Sequence, residues 1–379
     1  MKARLAVSRR QRSTPYTPRI EALGVSDYSI VNHTILPKGF GRSVEEDYWH
    51  LREHVQLWDV TCQRQVEVQG VDAARLVQFM TPRDLRDAQV GQCLYAPLVD
   101  KSAGVINDPV ILKLADDHYW LSIADSDVLL WAKALAIGLD LNVSVCEPDV
   151  SPLAVQGPKS YALMEQVFGA QIHDIAFFRF KKLDFNGRPL VVAQSGYSKQ
   201  GGFEIYLDDA SLGLELWDVL WEAGADLEIA PGSPNLIERV EGGLLSYGNE
   251  FTSANNPIEC GFERYCCIDP SLEYIGKQAL LRVIQEGPRQ QIRGVKFDGD
   301  KCPPCANTWP LSALYKSESG NTQVNKVVGH ISTAIWSPRL QCNVALGMLS
   351  KGYWSHGQEL VVHCADGTKR SGRVVDLPF

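Results

Sequence analysis

Two short stretches carry the residues best suited to chemistry. In Gly104-Val-Ile-Asn-Asp-Pro-Val110 a turn flows into an apolar strand, Val110 to Leu114, with a single carboxylate, Asp108, at its start. In Ser195-Gly-Tyr-Ser-Lys-Gln-Gly-Gly-Phe-Glu-Ile-Tyr206 a glycine-rich turn runs into an alternating segment. Period-2 alternation puts Phe203, Ile205 and Leu207 on one face and Glu204 with Tyr206 on the other. Gly196, Gly201 and Gly202 permit turns that a Cβ would oppose, so the chain could pass close to a ligand there. Two hairpins with ordinary polar faces are the alternative reading of the same residues.

Behind these stretches stand the elements that must position them. Ser43-x-x-Glu46 fits a capping box opening a helix over 43–58, with Tyr48, Leu51, Val55 and Trp58 as its buried stripe. Gln65–Gln69 alternates as a strand, and Asp72 is placed to cap a helix containing Leu76, Val77 and Met80. Strands are expected at Tyr95–Leu98, Val110–Leu114 and Tyr119–Ile123, then a helix from Ser126 carrying Leu129, Trp131 and Leu135. Leu141, Val143 and Val145 alternate, and Gln156-Gly157-Pro158 introduces another helix. Strands at Lys181–Phe185 and Pro189–Gln194 precede the glycine-rich turn, and a helix over Leu212–Ala223 ends at Gly224. The segment from Asn235 to Ser246 reads as helical despite Gly242 and Gly243, which cost a helix about 2 kcal/mol relative to alanine. Arg239 within it is either a salt-bridged surface residue beside Glu238 and Glu241 or a partner for an anionic ligand.

Past Arg289 short apolar runs at Ile292–Phe297, Val327–Ile331, Asn343–Leu346, Glu359–His363 and Gly372–Val375 alternate with Pro, Gly and polar turns. That texture predicts a small antiparallel β-domain, with the boundary near 285: residues 1–285 in one region and 286–379 in the other. The whole is of the α+β class, its strands meeting in local hairpins more often than across βαβ units.

Bulk properties narrow the field. A net charge of −8 gives no electrostatic case for nucleic acid or an anionic membrane. No apolar run approaches the roughly 20 residues that span a bilayer. Lys2, Arg4, Arg9, Arg10, Arg12 and Arg19 form a basic arm without an apolar segment behind it, which points to a cytoplasmic rather than a secreted protein. With no signal peptide, the ten cysteines are expected as reduced thiols. Cys302-Pro-Pro-Cys305 has no second pair at matching distance, adjacent Cys266 and Cys267 chelate one ion poorly, and His50 with His54 lacks further ligands, so no metal is expected. Gly39-Phe-Gly41 is followed by Val44 where a dinucleotide fingerprint needs its third glycine.

Gly104-Val-Ile-Asn-Asp108, Gly202-Phe-Glu-Ile-Tyr206, Glu238-Arg-Val-Glu-Gly242, Tyr274-Ile-Gly-Lys277 and Gly329-His-Ile-Ser-Thr-Ala-Ile-Trp-Ser-Pro338 stand in an order that resembles the aminomethyltransferase family, whose best-known member is the T-protein of the glycine cleavage system. Ser8-Arg-Arg-x-Arg-Ser-Thr-Pro15, Asn32-His-Thr-x-Leu-Pro37, Glu45–His54, Ala124-Asp-Ser-Asp127 and Ser198–Gly202 resemble its dimethylsulfoniopropionate demethylase branch. Because the resemblance starts at Ser8, the basic arm reads as mature protein. The resemblance implies a T-protein-like three-domain arrangement. Two interleaved α+β subdomains would surround a central folate channel, with a C-terminal antiparallel β-barrel-like domain beyond. It also implies methyl transfer from the sulfonium substrate to N5 of tetrahydrofolate, giving 5-methyltetrahydrofolate and 3-methylthiopropionate.

On that footing Asp108 corresponds to the family's central carboxylate, orienting the pterin or taking up the proton that N5 loses. Tyr95, Tyr197 and Tyr206 can hold the cation on their ring faces, with Val110 beside them in the substrate site. Glu204 would accept hydrogen bonds from pterin donors, with Tyr206 and Ser122 on the cofactor side and Arg239 toward the folate tail. At Tyr197 the chain departs from the branch, where tryptophan is expected. The implied partners are a small-molecule sulfonium and folate, with neither nucleic acid nor membrane; a homodimer is one option for the assembly. The rivals are a glycine-cleavage aminomethyltransferase, a demethylase of another donor, and a non-catalytic folate-binding protein. Asn107-Asp108-Pro109, in place of a paired Asp followed by Leu, counts against the first. The absence of a Lys-Gly-Cys motif counts against the last.

Overall fold

A computed structural model describes residue 8 and residues 10–316 and 322–379, with backbone alone at 314–316 and 322–325. Of the basic arm, Lys2, Arg4 and Arg9 lie outside the described residues. Arg12 bonds Glu147 at 2.5 Å, and Arg19 forks onto Asp218 with two bonds of 2.6 Å. The chain divides into two compact units, one of residues 1–80, 85–96 and 107–235, the other of 81–84, 97–106 and 236–379.

The first unit holds two large sheets and a two-stranded one, Asp27–Val31 with Thr34–Gly39. A five-stranded antiparallel sheet has the order Ser144–Cys146, Gln65–Gln69, His118–Ser122, Val110–Ala115, Cys93–Tyr95. A six-stranded sheet has the order Phe180–Phe185, Arg188–Ala193, Gly202–Leu207, Ser151–Gln156, Val55–Asp59, Ile229–Pro231, and only its last pair is parallel. One face of the six-stranded sheet buries Phe203, Ile205 and Leu207 against the helices Ser160–Phe168 and Gly213–Ala223. Leu216, Trp217 and Leu220 form the apolar stripe of the second helix, each contributing roughly 1.5–3 kcal/mol by burial. The opposite face carries Val191, Ala193 and Tyr206, which pack on Cys93, Leu112 and Trp120 of the five-stranded sheet. The helices Ala73–Phe79 and Val128–Gly138 belong to this unit too, beside the five-stranded sheet.

The second unit contains a closed barrel of six strands: Gln290–Phe297, Cys342–Ser350, Thr322–Ser337, Trp309–Lys316, Glu359–His363 and Lys369–Val375. Closure leaves no unpaired edge, and Val295, Leu311, Ile331, Leu349, Leu360 and Val374 fill the interior. The strand Trp309–Lys316 lies outside the apolar runs picked out in the sequence. Among the described residues no helix is long and apolar enough to cross a membrane.

Three local expectations are corrected. The capping box at Ser43 and Glu46 is present, but the helix ends at Glu53 and Val55–Asp59 is a strand buried at every position. Val55 and Trp58 suit either period over so short a run, and pairing with Leu153–Gln156 decides it. Asp72 precedes its helix without capping it, since its carboxylate accepts instead from the Asn142 amide at 2.9 Å. The helix Val128–Gly138 carries Leu129, Trp131 and Leu135 as expected, all half-buried, with Val128, Ala132 and Ala136 buried. The helix beginning at Leu236 stops at Glu241, and Gly243 takes φ +63° just past its end, so the two glycines end the helix.

Candidate active site

Strand register assembles the site. Across the five-stranded sheet Gln65 pairs with Ser122, Ser122 with Val110, and Val110 with Tyr95. Directly paired residues share a face, so these four side chains form one row. Two positions along lies a second row on the same face, Glu67, Trp120, Leu112 and Cys93. This face meets Glu204 and Tyr206 of the other sheet, with the Trp120 and Tyr206 rings 6.2 Å apart. Glu204 is flanked in register by Ala154 and Ala193, whose small side chains leave room beside the carboxylate.

Glu204 and Tyr206 are buried, at 5% and 1% exposure. Ser195 Oγ donates to Glu204 Oε2 at 2.5 Å, and the Tyr206 hydroxyl donates to the same oxygen at 3.4 Å. The Ser122 hydroxyl, on the face that meets Tyr206, accepts from Gln65 Nε2 at 3.0 Å. Burial pushes the Glu204 carboxyl above its ordinary range, against the two hydrogen bonds that pull it down. Burial and the neighbouring Glu204 push the Tyr206 phenol well up, so it stays a neutral donor. The Cys93 thiol rises for the same two reasons and has no nucleophilic character near neutrality.

Asp108 stands at the far end of the first row. Tyr95 OH donates to its Oδ2 at 2.9 Å. The backbone on either side is pinned: Asn107 is fully buried, donates to Ala124 O and Ser126 Oγ at 3.0 and 2.8 Å, and accepts from Ala124 N at 3.0 Å. Pro109 O accepts from Ala96 N at 3.0 Å. The half-buried carboxylate is therefore aimed by its neighbours, and one row of side chains joins it to the Glu204 network.

The glycine-rich turn has a different function from the one its sequence suggests. A Cβ on Gly196 would lie 2.1 Å from the Gln156 side chain, and one on Gly202 would lie 2.2 Å from Val155 O. The close approach is thus to the protein's own Gln156, whose Nε2 donates to Ser195 O at 3.1 Å and whose Oε1 accepts from Ser198 Oγ at 2.7 Å. Gln156 fixes the turn that presents Ser195 to Glu204.

Of the expected site residues, Asp108, Tyr95, Val110, Ser122, Glu204 and Tyr206 come together in this one unit. Tyr197 lies half-buried in the glycine-rich turn of the same unit. Arg239 belongs to the second unit, and its reading as a surface residue is corrected: it is 5% exposed. Its guanidinium donates to Glu250 at 2.8 Å and to Thr333 Oγ1 at 3.0 Å. Lys277, also buried, donates to the carbonyls of Pro270 and Leu272 at 2.8 and 2.6 Å. Sequence reading missed Gln65, Ser195, Gln156 and Trp120. Alternation in Gln65–Gln69 gives a polar face, but only the register shows that this face is turned to Glu204 rather than to water.

Chemically, the arrangement offers a buried carboxylate with one oxygen anchored, neutral aromatic surface around it, and a second carboxylate beside a tyrosine. Such a set suits a flat, donor-bearing heterocycle next to a cation.

Comparison with known proteins agrees with this architecture. The family model for the GCVT N-terminal domain matches residues 18–269, and that for the glycine cleavage T-protein C-terminal barrel domain matches 292–379. The chain is 48% identical over 362 residues to the dimethylsulfoniopropionate demethylase of Ruegeria pomeroyi, covering 96% of each. It is 27% identical over 333 residues to an aminomethyltransferase of a Thermoanaerobacter species, covering 86% of each. The crystal structure of the glycine cleavage system aminomethyltransferase T from Bartonella henselae superposes with a TM-score of 0.83 at 21% identity, covering 97% of both chains, so the fold is shared. The chain belongs to the glycine cleavage T-protein family.

Proposed function

We propose that the chain is a tetrahydrofolate-dependent demethylase, moving a methyl group from dimethylsulfoniopropionate to N5 of tetrahydrofolate and releasing 3-methylthiopropionate. The observation that carries this reading is the Glu204 network. Both hydrogen bonds to Glu204 land on Oε2, and Oε1 receives none from the described residues, so one oxygen of a buried carboxylate side chain is left for a ligand donor. The identity of 48% to a relative named for this activity supports the donor.

The reduced pterin, when bound, supplies the nucleophilic N5 and receives the methyl group. The protein's part is alignment. The leaving group is a neutral thioether, so no general acid is required, and in-line positioning can contribute several kcal/mol. Tyr95, Tyr206 and Tyr197 provide π faces for the sulfonium at roughly 0.5–2 kcal/mol each, with Val110 closing the apolar side. The N5 proton must leave after transfer, and Asp108, aimed by Tyr95 and pinned by Asn107, is the group assigned to accept it. Glu204 with Tyr206 and Ser122 orients the pterin. Arg239 is left out of the assignment because Glu250 and Thr333 already hold its guanidinium.

We also place the domain boundary near 285, just before the first barrel strand at Gln290, and the protein in the cytoplasm, where its ten free thiols suit a reducing compartment. Sedimentation distinguishes a monomer from a homodimer.

The deciding experiment mixes purified protein with tetrahydrofolate and, separately, dimethylsulfoniopropionate, other sulfonium, amine and aryl-ether donors, and an aminomethyl donor. Mass spectrometry is expected to find 5-methyltetrahydrofolate and methylthiopropionate only with the first. Methylated folate from another donor, or none at all, overturns the assignment.

A further inference from the structure

We propose that Gln65 is a further cofactor-binding residue, its side-chain oxygen accepting a hydrogen bond from an N–H of the reduced pterin; this rests on the folate-dependent reading above. Gln65 is 1% exposed and heads the row that continues through Ser122, Val110 and Tyr95. Its Nε2 donates to Gln63 O at 2.7 Å and to Ser122 Oγ at 3.0 Å. A backbone carbonyl can only accept, so the first bond fixes which end of the amide is nitrogen. Oε1 is therefore identified. It is buried, and no described residue donates to it. A buried acceptor without a donor is disfavoured, and native proteins rarely keep one without a reason.

The position supplies the reason. The amide donates to Ser122, whose row lies on the face that meets Tyr206 and Glu204, so Oε1 stands on the same polar face that is assigned to the pterin. Of the two reactants, dimethylsulfoniopropionate carries a carboxylate and a sulfonium but no N–H or O–H donor at neutral pH. The reduced pterin carries several N–H groups. A donor-seeking oxygen in this site thus selects the pterin. Glu204 Oε1 and Gln65 Oε1, approaching from two different sheets, would fix the ring in its plane.

Calorimetry with tetrahydrofolate on the full chain tests this. Four proteins are compared: wild type, Gln65→Met, Ser122→Ala and the double variant. Gln65→Met is expected to weaken folate binding about tenfold, with KM for dimethylsulfoniopropionate little changed. It should weaken binding by a similar factor again in the Ser122→Ala background, because the acceptor acts on the ligand and not only through Ser122. Unchanged affinity in Gln65→Met, or no further loss in the Ser122→Ala background, overturns the proposal. If Gln65→Met does not fold, Gln65→Asn, which draws the same amide back by one methylene, is read against the same outcomes. A wild-type chain that takes up no folate refutes the underlying reading instead, so the two failures are told apart.

Discussion

At the scale of the residue, the two carboxylates are proposed to have separate tasks. Asp108→Asn removes a proton acceptor but keeps the Tyr95 contact, so steady-state kinetics should show turnover falling about 10²–10⁴-fold with folate affinity nearly kept. Glu204→Gln removes a charged acceptor, and calorimetry should show folate binding weakened by about tenfold or more. Loss of the same parameter in both variants would contradict the division. The raised pKa of Glu204 gives an independent test. A carboxyl that holds its proton more tightly when folded contributes stability that is complete below the unfolded value, about 4.3, and is lost as pH rises through the folded one. Folate-free Glu204→Gln escapes that loss. It should melt above wild type at pH 8, with the gap closing toward pH 4.5. These two residues were legible in the sequence because their stretches are short and self-positioning. Gln65 and Gln156 were not, because their partners lie 57 and 39–42 residues away in the chain.

At the scale of the element, the strand Gly202–Leu207 depends on how the turn before it packs. Gly201 takes φ +79° with nothing within 4 Å of a Cβ, whereas at Gly202 a Cβ would meet Val155 O at 2.2 Å. Gly201→Ala should therefore cost only about 1–2 kcal/mol, the left-handed penalty alone. Gly202→Ala adds a backbone clash and should cost well above that, roughly 3 kcal/mol or more. Urea denaturation of the two variants checks the order, and equal midpoints would remove the claim that Gln156 and Val155 shape this turn. The helix Gly213–Ala223 was legible because its stripe and its end coincide. The strand Val55–Asp59 was not, since five apolar-rich residues fit both periods until a neighbouring strand is supplied.

At the scale of the whole molecule, each unit has its own core, and the second is tied together by a buried ion pair. Glu250 accepts from Arg239, from Thr333 Oγ1 at 2.5 Å, from Ser332 Oγ at 3.1 Å and from the Ser246 amide at 2.8 Å. The pair thereby joins the helix Leu236–Glu241 to the barrel strand Thr322–Ser337. Arg239→Leu leaves a buried carboxylate uncompensated and should lower stability by roughly 3–5 kcal/mol. Glu250→Gln in the same chain should return part of it. Denaturant midpoints measure both, and folate titration of the folded Arg239→Leu protein should match wild type. A large loss of folate affinity with an unchanged midpoint would instead assign Arg239 to the folate tail.

The sequence by itself determined the family, the α+β class and the C-terminal barrel region, and it marked Asp108 and Glu204 as candidates, because each is written in local period, turn chemistry or a contiguous motif. Only the tertiary structure decided that Gln65, Ser122, Val110 and Tyr95 form one row facing Glu204, and that Arg239 is buried against Glu250 and Thr333. Register between strands and the partner of a buried charge are set by burial across long sequence separations, and no local pattern encodes them.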